Sequence, residues 1–201
     1  NNQQLVLFDS TGRCYSTPAH TLPTARTQGE PITARINLAD GAKIEQIILD
    51  KEESHYLLSA TNGYGFIGSY REFLTRQRAG KAMINLNDGA MMLPPQKIED
   101  IENQWVIAVS EQGRFLVVPL RELPQIARGK GNQIIGIPGA QFKAKKDSLV
   151  ATLVFSNEDT LEVEYGKRRF KLTPSEWQPL IDERGKRGEE LRVNLKLKSI
   201  T

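Results

Sequence analysis

The sequence predicts an all-β protein, a propeller-like arc or disc assembled from four diverged copies of one unit. Apolar runs separated by a Gly-containing turn recur along the 201 residues, and the turn glycines Gly12, Gly63 and Gly113 stand 51 and 50 residues apart. A period near 50 with about four short strands per unit is typical of a propeller blade. The helical apolar period is confined to pieces such as residues 70–74 and 175–181.

Each unit opens on a predicted β-hairpin, whose turn favours residues that adopt φ > 0. Apolar runs at residues 5–8, 56–58 and 105–109 precede the three turn glycines, and a weaker fourth copy covers residues 150–155 with its turn at 157–159. The chain is therefore predicted to be a single domain whose repeats lie at about residues 1–50, 51–103, 104–148 and 149–201.

A basic, Gly-containing loop and two further strands follow each hairpin. A third strand is predicted at residues 36–42 and 84–90, which agree at six of seven positions, and more faintly at 134–140 and 193–197. A fourth strand, such as residues 44–49, closes the unit. Two tandem β-sandwiches are the alternative architecture.

Composition excludes several classes of function. The single cysteine, Cys14, rules out a disulfide framework and favours a reducing, cytoplasmic location. No apolar stretch reaches the roughly 18 residues that span a membrane, so no membrane partner is expected. His20 and His55 stand alone, and the G-x-G-x-x-G pattern at residues 63–68 falls in a hairpin. We therefore predict no catalytic residues, no metal site and no cofactor in this chain.

Charge is segregated although the net charge is only +3. Basic residues collect on the Gly-containing loops, and acidic residues collect on the connections between units, such as residues 40–53 and 88–102. Lys and Arg side chains on loops that lack bulky residues can contact the phosphate backbone of a nucleic acid, because the loop backbone can also approach the phosphate oxygens. The predicted DNA-contacting set is Arg76, Arg78, Lys81, Arg128, Lys130, Arg184, Lys186 and Arg187, with Arg26 as a weaker member and Lys167, Arg168 and Arg169 as a further patch. The alternative is a propeller-type scaffold whose basic loops bind an acidic protein.

Several ordered motifs resemble the C-terminal domain of the A subunit of bacterial type IIA topoisomerases. The resemblance covers essentially the whole chain and is carried by residues 8–13, 28–31, 63–66, 78–82, 123–124, 129–132, 166–169 and 183–188. Gyrases of this family carry a Q-R-R-G-G-K-G box. The nearest segment here, residues 77–82, is incomplete, so the chain resembles the topoisomerase IV branch more closely.

The resemblance implies a β-pinwheel, in which neighbouring blades exchange strands. It implies sequence-independent binding and bending of duplex DNA on a basic rim, which directs the choice between supercoil relaxation and decatenation during chromosome segregation. It also implies a nucleoid-associated heterotetramer with the rest of the A subunit and the ATPase B subunit, and a docking surface for a condensin-type protein. The cleavage tyrosine's motif is absent, so the chemistry of the ATP-dependent parent enzyme is expected elsewhere. Comparison with five-bladed discs implies a further blade upstream.

Overall fold

The computed structural model of this chain describes residues 3–23, 29–165, 168–190 and 199–200. Within these residues the regular structure is almost all β, and no α-helix exceeds five residues. The strands are β1 (Gln4–Asp9), β2 (Arg13–Pro18), β3 (Ile44–Leu49), β4 (His55–Ser59), β5 (Tyr64–Ser69), β6 (Lys81–Ala82), β7 (Gln96–Ile98), β8 (Trp105–Ser110), β9 (Arg114–Pro119), β10 (Asn132–Gln133), β11 (Leu149–Phe155), β12 (Leu161–Tyr165), β13 (Arg168–Leu172), β14 (Glu189–Glu190) and β15 (Ser199–Ile200). The α-helices are α1 (Tyr70–Phe73), α2 (Gly139–Lys143) and α3 (Pro174–Trp177), and 3₁₀ turns lie at Ala19–Thr21, Ile32–Ala34, Leu120–Glu122 and Gln178–Leu180.

The strands form antiparallel sheets that follow one another along the chain, here called blades 1 to 4. The strand orders are β3-β1-β2-β6 in blade 1, β10-β5-β4-β7 in blade 2, β11-β8-β9-β14 in blade 3 and β13-β12-β15 in blade 4. The predicted all-β, propeller-like class is therefore confirmed, as are the closing strand β3 and the short helices α1 and α3.

Blades 1 to 3 are each completed by a two-residue strand from the next unit. Strand β6 pairs with Arg13 and Cys14 of β2, β10 pairs with Tyr64 and Gly65 of β5, and β14 pairs with the start of β9. This exchange confirms the pinwheel arrangement that the family resemblance implied. We call β6, β10 and β14 the exchanged strands.

The prediction of a third strand at residues 36–42 and 84–90 is wrong. Ile36 and Ile84 are buried, but the segments then turn, with Asp88 at φ 56° and Gly89 at φ 78°. The shared pattern therefore marks one buried side chain followed by a turn, and the exchanged strand lies just before it. Residues 134–140 lead into α2 rather than a strand, and residues 193–197 lie outside the described residues.

The fourth hairpin was also predicted in the wrong place. Residues 150–155 belong to β11, which pairs with β8 and closes blade 3. The hairpin of blade 4 is formed by β12 and β13. A closing strand and a first hairpin strand have the same apolar character, so only the pairing partner distinguishes them.

The core consists of apolar layers between consecutive blades. Phe8 and Phe73 meet edge to face at 5.3 Å between blades 1 and 2, and Phe155 packs on the buried Trp177 at 4.9 Å between blades 3 and 4. A third layer, which includes Leu57 of β4, joins blades 2 and 3. Because the faces are buried in this way, the strand edges and their loops provide most of the surface for binding.

Glycine allows each exchanged strand to approach the preceding blade. Gly80, Gly131 and Gly188 stand directly before β6, β10 and β14, with φ of 64°, 73° and 71°. A Cβ at Gly131 would overlap the carbonyl group of Gly65 in β5. Both the left-handed backbone and the close contact therefore require glycine here.

A largely buried carboxylate connects blade 1 to blade 2. Asp50 follows β3, and its side chain is 12% exposed. It accepts hydrogen bonds from the Tyr56 hydroxyl at 2.6 Å and the Lys51 amide at 2.9 Å, and it lies 2.9 Å from Lys97 Nζ. Burial alone would raise the pKa of Asp50, but these partners outweigh burial and hold its pKa well below the usual range.

We expect Asp50→Asn to weaken the pH dependence of stability. The folded-state pKa lies below the unfolded value of about 3.8, so ionised Asp50 stabilises the fold fully above that pH, and the contribution is lost progressively as the pH falls from there toward the folded-state pKa. Urea unfolding at about pH 7 and about pH 3 measures how far the free energy of unfolding falls between these two pH values. Glu53→Gln, an exposed carboxylate of the same connection, is the control. A pH dependence equal to that of the parent chain would contradict the expectation.

Gly131→Ala should destabilise the fold. A Cβ in the left-handed region costs about 1–2 kcal/mol, and the overlap with Gly65 adds to this. Gly139→Ala is the matched control, because a Cβ there meets nothing within 4 Å. Thermal unfolding that gave the two variants equal midpoints would show that the close approach is unimportant.

Candidate nucleic-acid interface

A loop runs along the edge of each preceding blade before it enters the exchanged strand. We call these segments edge loop 1 (residues 74–80), edge loop 2 (residues 124–131) and edge loop 3 (residues 181–188). In edge loop 1 the Ser16 hydroxyl of β2 donates to the Thr75 carbonyl at 2.7 Å, and the Thr75 amide donates to Ser16 Oγ at 2.9 Å. The loop therefore covers the part of the blade 1 edge that β6 does not reach.

The other two edge loops make the same kind of contact. Ile67 of β5 donates its amide to the Pro124 carbonyl at 2.9 Å and accepts from the Ile126 amide at 3.1 Å. The Val117 carbonyl of β9 accepts from the Asp182 amide at 3.2 Å. Because an uncovered edge strand has unpaired amides and carbonyls, the sheet itself dictates where these loops lie. The basic loops of the last three units thus occupy equivalent positions.

Backbone hydrogen bonds also join an edge loop to the segment that follows the previous exchanged strand. The Gly129 amide donates to the Met83 carbonyl at 2.9 Å, and the Asn85 amide donates to the Gly129 carbonyl at 2.9 Å. The Gly136 amide donates to the Lys186 carbonyl at 2.7 Å. Edge loops 2 and 3 therefore each contact the segment that follows the previous exchanged strand.

An arginine at the start of β2 holds edge loop 1. Arg13 donates from Nε to the Ala79 carbonyl at 3.1 Å and from Nη2 to the Gly80 carbonyl at 2.8 Å. The planar guanidinium thus binds two successive carbonyls, which a lysine ammonium cannot do in the same geometry. Arg13 was not among the predicted site residues.

The first residues of β5 and β9 make equivalent contacts. Lys130 Nζ lies 3.7 Å from the centre of the Tyr64 ring, a cation–π contact. Arg114 donates to the Gly188 carbonyl at 3.0 Å and pairs with Glu190. The Gly-Arg dipeptides Gly12-Arg13 and Gly113-Arg114 were the sequence signal that could have revealed the two arginine contacts.

Five predicted cations lie on edge loops 1 and 2 or beside them. Arg76 and Arg128 are exposed, Arg78 donates to the Ala34 carbonyl at 2.6 Å, and Lys81 donates to the Leu74 carbonyl at 3.1 Å. Lys130, the fifth, lies against the Tyr64 ring. In the described part of the chain no carboxylate is within ion-pair distance of these five side chains, so their charges face solvent or neutral groups.

An open cleft of about 640 Å³ lies along edge loop 1, between it and blade 1. Arg76 and Arg78 line it together with Arg35, whose guanidinium pairs with Glu30 at 2.8 Å. The cleft therefore presents two guanidinium groups without carboxylate partners among the described residues, which suits a phosphate group.

Edge loop 3 is electrostatically different, although its position is equivalent. Lys186 Nζ lies 2.8 Å from Asp182 and 3.5 Å from Glu183, and the bond to Asp182 raises the pKa of Lys186 above its usual value. The exchanged strand that follows edge loop 3 consists of two acidic residues, Glu189 and Glu190. In contrast, the exchanged strand that follows edge loop 1 consists of Lys81 and Ala82.

The two arginines of edge loop 3 are also engaged. Arg187 pairs with the fully buried carboxylate of Asp147 at 3.1 Å. Arg184 donates to the Gln133 carbonyl at 2.9 Å. Sequence reasoning counted the cations of this loop but not the carboxylates that the fold brings beside them.

The whole predicted DNA-contacting set remains a prediction, and four of its members lie wholly or partly outside the described residues. Arg26 and Lys167 lie outside the described residues. Arg168 and Arg169 are on β13, where they pair with Tyr165 and Glu164 of β12, and their side chains are outside the described part.

The fold gives other candidate chemistry no support. Cys14 is buried, and burial raises the pKa of its thiol to about 11, so the thiol stays protonated at neutral pH. Residues 63–68 form the turn and strand of a hairpin rather than a nucleotide loop. Within the described ranges no group of three His, Cys, Asp or Glu side chains could hold a metal ion. No helix there is long and apolar enough to cross a membrane.

Strand-exchanged blades with cationic loops along their edges define a class, the C-terminal β-pinwheel of type IIA topoisomerases. A family model described as the DNA gyrase C-terminal domain, beta-propeller, matches residues 3–49 and 104–156. The chain is 40% identical over 192 residues to the A subunit of DNA topoisomerase 4 from Escherichia coli K12, and 38% identical over 191 residues to that of Pseudomonas aeruginosa. These alignments cover 96% and 95% of this chain and 25% of each relative.

Solved structures agree with the sequence comparison. The E. coli ParC C-terminal domain superposes with a TM-score of 0.93 at 38% identity, covering 100% of this chain and 81% of that one. The gyrase A C-terminal domain shares the fold, with a TM-score of 0.71 at 18% identity, covering 100% of this chain and 65% of that one. The chain belongs to the family of C-terminal domains found in the A subunits of topoisomerase IV. It spans about a quarter of the length of the curated relatives it matches.

Arg13→Lys should loosen edge loop 1 although it keeps the charge. A lysine cannot bind the Ala79 and Gly80 carbonyls together, so amide hydrogen exchange in residues 76–82 should accelerate. Lys43→Ala removes an exposed cation elsewhere on blade 1 and should leave this exchange unchanged. Equal exchange in Arg13→Lys and the parent chain would show that Arg13 does not hold the loop.

Proposed function

We propose that this domain binds duplex DNA without sequence preference, along edge loops 1 and 2. The observation that carries the proposal is the set of five cations on or beside these two loops, Arg76, Arg78, Lys81, Arg128 and Lys130, which have no carboxylate partner among the described residues. Such side chains can each approach a phosphate oxygen without first breaking an ion pair. No element of a size to enter the major groove projects from the described loops, so contacts to the backbone rather than to base edges are favoured.

The path of the loops supports bending. Edge loops 1 and 2 belong to consecutive blades, and we propose that a duplex contacting both bends to follow them. Bending then selects duplexes that are curved or crossed, and this is how we propose that the domain directs its parent enzyme toward supercoil relaxation or decatenation. Energy transfer between labelled ends of a short duplex, which should rise on binding, measures the bend.

The proposed partners follow from the family. They are the remainder of the A subunit and the ATPase B subunit, in an enzyme associated with the nucleoid. A condensin-type protein is a further proposed partner. If the edge loops bound a negatively charged protein and did not bind DNA, the domain would be a protein-interaction scaffold, which is the alternative function given in the sequence analysis.

We expect Arg76→Ala/Arg128→Ala to weaken binding to all duplexes alike. Each phosphate neutralised contributes about −0.9 to the slope of log affinity against log salt, so losing two contacts should flatten the slope by up to about 1.8. The measurement is a salt titration of the chain with two duplexes of unrelated sequence. Because both side chains are exposed, the free energy of unfolding should change by less than about 0.5 kcal/mol.

Lys51→Ala/Arg71→Ala is the matched control, because it removes two exposed cations away from the edge loops, Lys51 on the acidic connection and Arg71 on α1, where Arg71 pairs with Glu52 at 3.3 Å. It should leave the slope unchanged. If both double variants changed the slope equally, binding would follow net charge rather than the edge loops. If the parent chain bound neither duplex, the DNA-binding proposal would be wrong and the scaffold function would be favoured.

A further inference from the structure

Three exposed lysines lie on a turn beside edge loop 3. We call residues 143–146 the lysine turn; it contains Lys143, Lys145 and Lys146 and follows directly from α2. The predicted set of DNA contacts did not include these residues, and none of them belongs to an edge loop.

The backbone of the lysine turn is closely specified. The Lys146 amide donates to the Gln141 carbonyl at 2.8 Å and the Lys145 amide to the Phe142 carbonyl at 2.9 Å. This pair of bonds is a Schellman motif, in which the left-handed residue is usually glycine. Here Lys145 occupies it, with φ 55°. A side chain in this conformation costs about 1 kcal/mol, so the lysine is present at some expense of stability.

A buried carboxylate anchors the turn to edge loop 3. Asp147, whose side chain is fully buried, pairs with Arg187 at 3.1 Å and accepts from the Ser148 amide at 3.0 Å. Gln112 bridges the two segments, since its Nε2 donates to the Lys146 carbonyl at 3.1 Å and its Oε1 accepts from Arg187 at 3.3 Å. The lysine turn therefore has a defined position next to the loop.

The charges at this boundary are divided unequally between the two segments. Two cations of edge loop 3, Lys186 and Arg187, are paired with carboxylates, while Arg184 donates to a carbonyl as Arg78 does in edge loop 1. Among the described residues no carboxylate is within ion-pair distance of Lys145 or Lys146, and Lys143 is 3.8 Å from the exposed Asp88. Among the described residues, the positive charge available beside edge loop 3 is thus on the lysine turn.

We propose that Lys145 and Lys146 form a further phosphate-binding site for duplex DNA and extend the surface of edge loops 1 and 2 to the third blade. The inference rests on the proposed DNA-binding function. Each ammonium group binds a phosphate as a point charge, and Asp147 is a positioning residue that holds the turn against Arg187. Favourable interaction of cations with a helix C-terminus would account for charge here, but it does not account for a lysine in the left-handed position.

The test uses Lys145→Gly/Lys146→Ala in the full 201-residue chain. Glycine relieves the left-handed backbone, so the midpoint of thermal unfolding should rise or stay unchanged, while the salt slope for duplex DNA should flatten by up to about 1.8. Lys145→Arg keeps the charge and should keep the slope. The control is Lys51→Ala/Arg71→Ala, which removes the same charge at positions away from the edge loops and the lysine turn.

The outcomes separate this inference from the proposed function. A lower slope with an undiminished unfolding midpoint supports the site, because a purely structural role would lower stability and leave the slope alone. If Arg76→Ala/Arg128→Ala flattens the slope but the lysine-turn variant does not, the inference is wrong and the proposed function stands. If the parent chain shows no DNA binding at all, both are wrong.

Discussion

In blades 1 to 3 the second hairpin strand has an outer edge that no strand of its own unit pairs with. The edges of β2, β5 and β9 would expose unpaired amides and carbonyls, and the next unit covers them with an edge loop and an exchanged strand. This requirement fixes the order of the blades and the path of each loop. It also explains the glycine before each exchanged strand, since Gly131 has no room for a side chain beside Gly65.

The same requirement places the candidate binding surface. A loop held along a sheet edge cannot withdraw into the core, because the blade faces are already buried against one another. Its long cationic side chains must therefore project from the edge, as Arg76 and Arg128 do. The contacts of Arg13 with the Ala79 and Gly80 carbonyls restrict the loop further. A surface that is rigid before binding loses less conformational entropy when DNA binds.

Equivalent loops need not have equivalent electrostatics. The cations of edge loops 1 and 2 have no carboxylate partner among the described residues, whereas Lys186 meets Asp182 and Arg187 meets Asp147. The repeat supplies the backbone position, and each unit adds its own partners. Beside edge loop 3 the available charge among the described residues is on the lysine turn instead, which is why we propose that the binding surface continues there.

The sequence by itself determined the all-β class, the number of units and the basic character of the loops, because repeat spacing, turn glycines and composition are local properties. It misplaced the third strand at residues 36–42 and the fourth hairpin at residues 150–155, since an apolar run does not reveal its pairing partner. Only the tertiary structure decided which blade each strand completes and which cations remain available. Lys186 and Arg76 both appear in the sequence as cations of basic loops. The fold places carboxylates beside Lys186, whereas no described carboxylate lies within ion-pair distance of Arg76.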